Sequence, residues 1–163
     1  MGTIRELIPS DFDSILEVIN NAAQAYRGVI PEDRWKEPYM SADELKEEIG
    51  DGVKFYGLVE KCRIIGIMGI QPVKDTTLIR HSYVLKGHQG RGIGRKLLEH
   101  LINMAETPEI LVGTWKDASW AIRFYESNGF KLTSDVEKDK LLRKYWRIPN
   151  RQIATSVVLK LKR

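Results

Sequence analysis

Apolar positions along the chain alternate between a period near 3.6 residues and a period near 2, and each switch marks an element boundary. A short strand, Thr3–Glu6, ends at Pro9-Ser10. Phe12, Ile15, Leu16, Ile19, Ala22, Ala23 and Tyr26 then keep a helical spacing, with Ser10 the expected N-cap. Gly28–Tyr39 carries Pro31, Trp35, Pro38 and Tyr39 and reads as an ordered loop with aromatic anchors. Ser41-x-x-Glu44 has the form of a capping box and opens a second helix that stops at Gly50. Val53–Glu60 and Arg63–Gln71 are strand-like runs separated only by Lys61-Cys62, most simply a hairpin. Leu78–Leu85 predicts a further strand. Ile93, Leu97, Leu98, Leu101, Ile102 and Ala105 predict a long amphipathic helix whose other face carries Arg95, Lys96, Glu99 and Asn103.

The remaining third follows the same logic. Ile110–Thr114 is a short apolar strand, and Asp117 is the expected N-cap of a helix bearing Ala121, Phe124 and Tyr125 that closes at Asn128-Gly129. Strands are expected from Phe130 and over Thr155–Leu161. Between them, Ser134-x-x-Glu137 with Leu141, Leu142, Tyr145 and Trp146 predicts an inserted helix before Pro149. That insert packs on the sheet edge, walls a pocket or forms a homodimer contact. No repeat or linker divides the chain, so residues 1–163 are expected to form one domain.

The most specific chemistry lies between the strand ending near Leu85 and the long helix. Gln89-Gly90-Arg91-Gly92-Ile93-Gly94 leaves the backbone bare where the helix begins. Unpaired N–H groups and the positive end of the helix dipole converge there, a site for a phosphate or diphosphate. Arg91, Arg95 and Lys96 add positive charge. A Walker loop would need Gly-Lys followed by Ser or Thr, which does not occur, and the glycines run G-x-G-x-G rather than G-x-G-x-x-G.

The run resembles the pyrophosphate loop of the GNAT acyltransferase superfamily, with Gln89, Gly92 and Gly94 at the signature positions. Ala121-x-x-Phe124-Tyr125-x-x-x-Gly129-Phe130 is similar to a second segment of that family, in the right order and separation. One departure stands out: where the family often has Asn contacting the pantetheine arm, this chain has Ala118, and Asp117 or Ser119 substitutes or the contact is lost.

The resemblance implies a mixed α/β fold, a mostly antiparallel splayed sheet with helices on both faces. It implies acetyl-CoA as co-substrate and an N-acetyltransferase that acts by direct attack of a primary amine in a ternary complex. A non-catalytic acyl-CoA-binding sensor on the same scaffold is the alternative. Tyr83, Val84, Leu85, Gln89, Gly90, Arg91, Gly92, Ile93, Gly94 and Arg95 would hold the cofactor, with a backbone N–H near Val84 polarising the thioester oxygen. Tyr125 matches the family's tyrosine; an ordinary phenol, pKa about 10, is protonated at neutral pH and can donate to a leaving sulfur of pKa about 8.5. His81, on the strand leading to the loop, is a candidate base or a hydrogen-bonded interior side chain, and Glu60 is a further candidate base. By alternation Tyr83 shares the His81 face, with Arg80 opposite unless a bulge intervenes. Tyr26, Arg27, Trp35, Glu37 and Tyr39 become acceptor-side candidates by position. Trp115 and Trp120 narrow the pocket or pack in the core, and His88 and His100 are expected at the surface.

Composition removes competing classes. Lys and Arg exceed Asp and Glu by 26 to 22, a net charge of +4 spread along the chain, and no groove-reading module accompanies it, so no nucleic-acid partner is expected. The one cysteine, Cys62, excludes an internal disulfide and fits a reducing, cytoplasmic setting. No His, Cys or carboxylate set has metal-site spacing, and no run has the length of a membrane span. The acceptor is then a small-molecule or peptide amine.

Overall fold

Two residues with positive φ, Lys61 (52°) and Cys62 (61°), turn the chain between strands β2 (Lys54–Glu60) and β3 (Arg63–Val73). Both central positions of such a two-residue hairpin turn need that conformation. The computed structural model describes residues 2–163. The other strands are β1 (Thr3–Glu6), β4 (Thr76–Val84), β5 (Glu109–Trp115), β6 (Lys131–Leu132) and β7 (Ser156–Lys162). Together they form one sheet in the order β1-β2-β3-β4-β5-β7-β6. Every neighbouring pair is antiparallel except β4 and β5. That parallel pair needs a crossover, which helix α3 (Ile93–Met104) supplies.

The remaining helices are α1 (Phe12–Ala22), α2 (Ala42–Gly50), α4 (Ser119–Ser127), α5 (Asp135–Tyr145) and α6 (Asn150–Ala154). Adjacent residues on β4 and β5 serve two apolar clusters. Ile79, Ile110 and Val112 join the main core, which takes in Ile15 and Ile19 of α1, Leu45 of α2 and Leu97, Leu98 and Leu101 of α3. Leu78, Leu111 and Val158 face a smaller cluster with Leu142 and Ile153 of α5 and α6. Helices therefore cover both faces, as the alternation along the strands requires. The inserted helix α5 packs on the sheet, and Trp146 just beyond it packs against the same cluster.

Several local expectations shift. Ser10 caps nothing: Asp11 precedes α1, accepts the Ile8 N–H at 2.8 Å and binds Arg5. A carboxylate already tied to the first strand wins that place. The fourth helix starts at Ser119 rather than after Asp117, with Ala118 as N-cap and no side-chain cap. Ser41 and Glu44 do form the reciprocal capping box. Helix α6 was not foreseen, its five residues being too short for a periodic signal.

The feature that makes the site is where β4 and β5 part. They pair only over Thr77–Ile79 with Ile110–Val112, whereas β5 stays paired with β7 along its full length. On its other side, β4 is bulged against β3: Tyr83 pairs with Ile67 and Arg80 with Gly69, so His81 and Ser82 together oppose Met68. A bulge adds local twist, and Arg80–Val84 swings away from Gly113–Trp115, opening a splay.

Candidate active site

Gly90 (φ 78°) and Gly92 (φ 77°) hold left-handed conformations in the loop after β4, and a Cβ at either would meet nothing within 4 Å. An L side chain would be strained there, and the bare backbone edges a groove of about 690 Å³. Gly92 is the N-cap of α3, and no side chain caps that helix. Lys96 is the first residue to donate within the helix, to Gly92 O at 3.1 Å, so the Ile93, Gly94 and Arg95 amides have no intrahelical acceptor. Gly94 faces α4, where a Cβ would just touch the Phe124 ring at 3.4 Å. Gln89 braces the loop by donating to Val84 O at 3.2 Å. These donors and this opening fit a diphosphate.

Not every predicted loop residue faces the groove. The Arg91 guanidinium turns outward to Glu60 at 2.8 Å and His88 at 3.0 Å. Glu60 thereby braces the loop, its carboxyl held below the ordinary range first by the Arg91 hydrogen bond. Arg95 edges the groove while pairing with Glu99 at 3.0 Å. His88 also edges the groove, and His100 is half-buried against Tyr56, so neither is simply solvent-facing.

At the splay the backbone sorts itself by strand alternation. Leu85 N–H donates to Ile65 O at 2.9 Å, toward β3. Val84 therefore directs its N–H and C=O to the opposite, open side, consistent with Gln89 reaching its carbonyl there. Leu85 itself is buried, has its amide occupied and does not line the groove, which corrects its assignment.

Tyr26, Ser82, Tyr83 and Tyr125 line both the groove and a cavity of about 140 Å³ within the splay. Burial pushes Tyr125 well up, with the nearby Tyr26 adding to it and the Ser82 hydroxyl opposing it. Burial likewise raises Tyr26 to about 12, helped by Tyr39. Trp120, on α4, packs against Tyr26 at 5.2 Å and edges the groove. Ala118 is fully buried, and neither Asp117 nor Ser119 lines the groove; Ser127 and Asn128 do.

Beyond the splay cavity lies a third space of about 510 Å³, sharing Tyr39, Arg80, His81, Trp115, Trp146 and Gln152 with it. The bulge turns Arg80 and His81 to one partner: Glu48 Oε1 accepts from Arg80 at 2.8 Å and lies 2.6 Å from His81 Nε2. His81 has φ 55°, a conformation costing an L residue on the order of 1–3 kcal/mol. Its contact with Glu48 and its stacking on Tyr83 at 6.3 Å and near Phe55 at 5.8 Å hold it there. Burial raises the Glu48 carboxyl, but the His81 hydrogen bond and the His81 and Arg80 charges outweigh it and leave it low. An ionised Glu48 accepts the Nε2–H, leaving Nδ1 as the ring nitrogen without a protein partner among the described residues.

Trp35 lines none of these cavities; it donates to Glu37 at 3.2 Å and stacks near Tyr39 at 5.8 Å, pinning the loop. Sequence patterns gave no sign of Glu48, Ser82 or Gln152, because each acquires its role from residues far along the chain, and Arg80 joins His81 only through the bulge that alternation left open. Among the described residues no His, Cys or carboxylate cluster suits a metal ion, and no helix is long and apolar enough to cross a membrane.

Comparison with known proteins agrees with this geometry. The chain superimposes over its full length on the PaiA N-acetyltransferase of Thermoplasma acidophilum in complex with coenzyme A, at 20% identity and a TM-score of 0.75, covering 99% of that chain. The ribosomal-protein-S18-alanine N-acetyltransferase of Escherichia coli matches at 19% identity and a TM-score of 0.70, over 99% of this chain and 94% of that one. At those identities the likeness is one of fold. In sequence, the peptidyl-lysine N-acetyltransferase YjaB of Escherichia coli (strain K12) is 39% identical over 57 residues, 35% of this chain and 37% of that relative's length. The family model described as the acetyltransferase (GNAT) domain matches residues 51–132, a span holding the hairpin, the glycine loop and the Phe124-Tyr125 helix. Its co-substrate, acetyl-CoA, suits the open amides at the start of α3, and the chain belongs to the GNAT acetyltransferase family.

Proposed function

We propose that the protein is an N-acetyltransferase joining acetyl-CoA and a primary amine in a ternary complex by direct attack. The observation that carries this is the adjacency of the three spaces: Tyr125 and Ser82 line both the groove and the splay cavity, and His81 lines both that cavity and the acceptor side. Acetyl-CoA supplies the acyl thioester and a thiolate leaving group. The α3 amides and Gln89-braced loop bind its diphosphate. Val84 N–H polarises the carbonyl oxygen, a contribution of about 3 kcal/mol for a preorganised donor.

The amine enters the splay from the acceptor side. His81 Nδ1 takes a proton from the ammonium; Glu48 stabilises the resulting imidazolium. The amine nitrogen then bonds to the acetyl carbon, and the adduct sheds its second N–H proton to solvent as the carbon–sulfur bond breaks. Tyr125 stays protonated because it is buried. Complete proton transfer from it to a thiolate runs uphill by at least about 2 kcal/mol, given ordinary pKa values near 10 and 8.5. Its service is therefore to hold a hydrogen bond to the departing sulfur, whose proton comes finally from solvent.

Thiol release measured across small amines, amino acids and peptides tests the reading. Turnover is expected with at least one class, and Tyr125→Phe should lower kcat about 10²-fold with coenzyme A binding retained. Coenzyme A binding with no thiol release from any acceptor would instead mark a sensor. Unchanged turnover in Tyr125→Phe would remove that residue from the mechanism.

A further inference from the structure

The acceptor cavity is lined by equal numbers of cations and carboxylates: Arg34, Lys36, Arg80 and Arg147 against Glu44, Glu47, Glu48 and Asp51. Their pairing is uneven. Lys36 is bound by Glu44, which also accepts the Ser41 N–H. Arg80 and His81 share Glu48, and Arg80 reaches Gln71 at 3.2 Å. Glu47, Asp51 and Arg147 are exposed, where water solvates them.

Arg34 is different. It is half-buried and forms no ion pair among the described residues. Its neighbour Asp33 is taken by Arg151 at 3.0 Å. One terminal nitrogen of Arg34 donates to Gln152 Oε1 at 3.3 Å, and its Nε is sealed from solvent with no acceptor at all. A buried donor without a partner is rare in a folded protein, and the side chain that carries it lines the acceptor cavity with no carboxylate against it. The guanidinium fork suits a carboxylate.

We infer that Arg34 binds the carboxylate of the acceptor, which makes the substrate a small amino acid-like amine. This rests on the acetyltransferase reading above. Gln152, the Arg34 partner, lines the splay cavity as well as the acceptor space, so a carboxylate at Arg34 lies next to the route by which an amine reaches the splay. Arg34 is the half-buried cation of this cavity that no carboxylate pairs, and a carboxylate supplies one negative charge to it. A doubly charged phosphate would confront the carboxylates. The loop bearing Arg34 is clamped over α6 by Arg151–Asp33 and Arg34–Gln152, so the guanidinium is preorganised.

The test is calorimetric titration, in the presence of coenzyme A, of the standard amino acids, their α-carboxamides, 4-aminobutyrate, butylamine and phosphoethanolamine. At least one free acid should bind about tenfold or more tighter than its matched carboxamide or amine, because loss of the charged partner leaves Arg34 unpaired. In Arg34→Gln that preference should shrink to within about twofold, with Arg34→Lys in between. Three results overturn the inference: no free acid preferred over its neutral analogue in the unmutated protein, a preference that survives Arg34→Gln, or phosphoethanolamine as the tightest ligand. Carboxylate-dependent binding without acetyl transfer would count against the catalytic reading and leave this one standing.

Discussion

Replacing Gly66 by alanine should loosen the whole cofactor site from behind. Gly66 sits on β3 opposite Val84, and a Cβ there would lie 2.7 Å from Ile93 Cγ2 and 3.4 Å from Leu97 Cδ1. Ordinary carbon–carbon contact is about 3.5–4.0 Å, so helix α3 must retreat by roughly 1 Å at its first turn. Ile93 Cγ2 is attached next to the backbone and cannot swing aside as a flexible tip would. Overpacking of this size costs about 1–3 kcal/mol, a fall of several degrees in Tm for a chain this long. The same retreat moves the open Ile93–Arg95 amides. Losing one hydrogen bond to a charged group, about 1.5–3 kcal/mol, weakens coenzyme A binding about tenfold to a hundredfold. Denaturant unfolding and calorimetry read the two effects. Ile93→Leu removes the offending branch, so Gly66→Ala/Ile93→Leu should recover most of both losses, a coupling that independent sites would not show. Wild-type stability and coenzyme A affinity in Gly66→Ala would refute the close-approach argument.

His81→Ala should lower kcat/KM by about 10²-fold and flatten the limb that falls toward low pH. Glu48→Gln, acting through His81 as a positioning residue, should lower it less and displace the same limb, and unchanged pH–rate profiles in both would exclude the pair. Stability should also fall in alkali. Burial raises Tyr26 to about 12, and also raises Tyr83 and Tyr125. These raised values give stability that is complete below the ordinary phenol pKa near 10 and is lost as pH climbs through the folded-state values. Denaturant midpoints should therefore drop above pH about 10, less steeply in Tyr125→Phe, and a flat profile would contradict the burial of these phenols. Glu48 acts with the opposite sign. Its depressed carboxyl stabilises the fold above the ordinary carboxylate range and loses that contribution as pH falls through its folded value.

How much of the site could be read from residue order depends on how local each part is. Gln89–Gly94 was legible because a tight left-handed turn and a bare helix start constrain neighbouring positions only. The hairpin at Lys61-Cys62, the capping box at Ser41 and the buried stripe of α3 were legible for the same reason. Leu85 was misplaced because strand alternation relative to β3, set by pairing with Ile65, decides which residue faces the groove. The outward turn of the Arg91 side chain was not legible because Glu60, 31 residues earlier, claims its guanidinium. His81 was singled out, but its partner was not: Glu48 lies 33 residues away, on helix α2.

By itself, the order of amino acids determined the longer elements, their sequence along the chain and the glycine-rich turn that opens α3, since backbone conformation and hydrophobic period act over a few residues. Only the tertiary structure decided where the sheet opens. There the bulge at His81-Ser82 and the three-residue contact of β4 with β5 bring residues together from both halves of the chain. Arg34 meets Gln152 across 118 residues. Such meetings depend on strand register and twist summed over the whole sheet, and no local pattern records them.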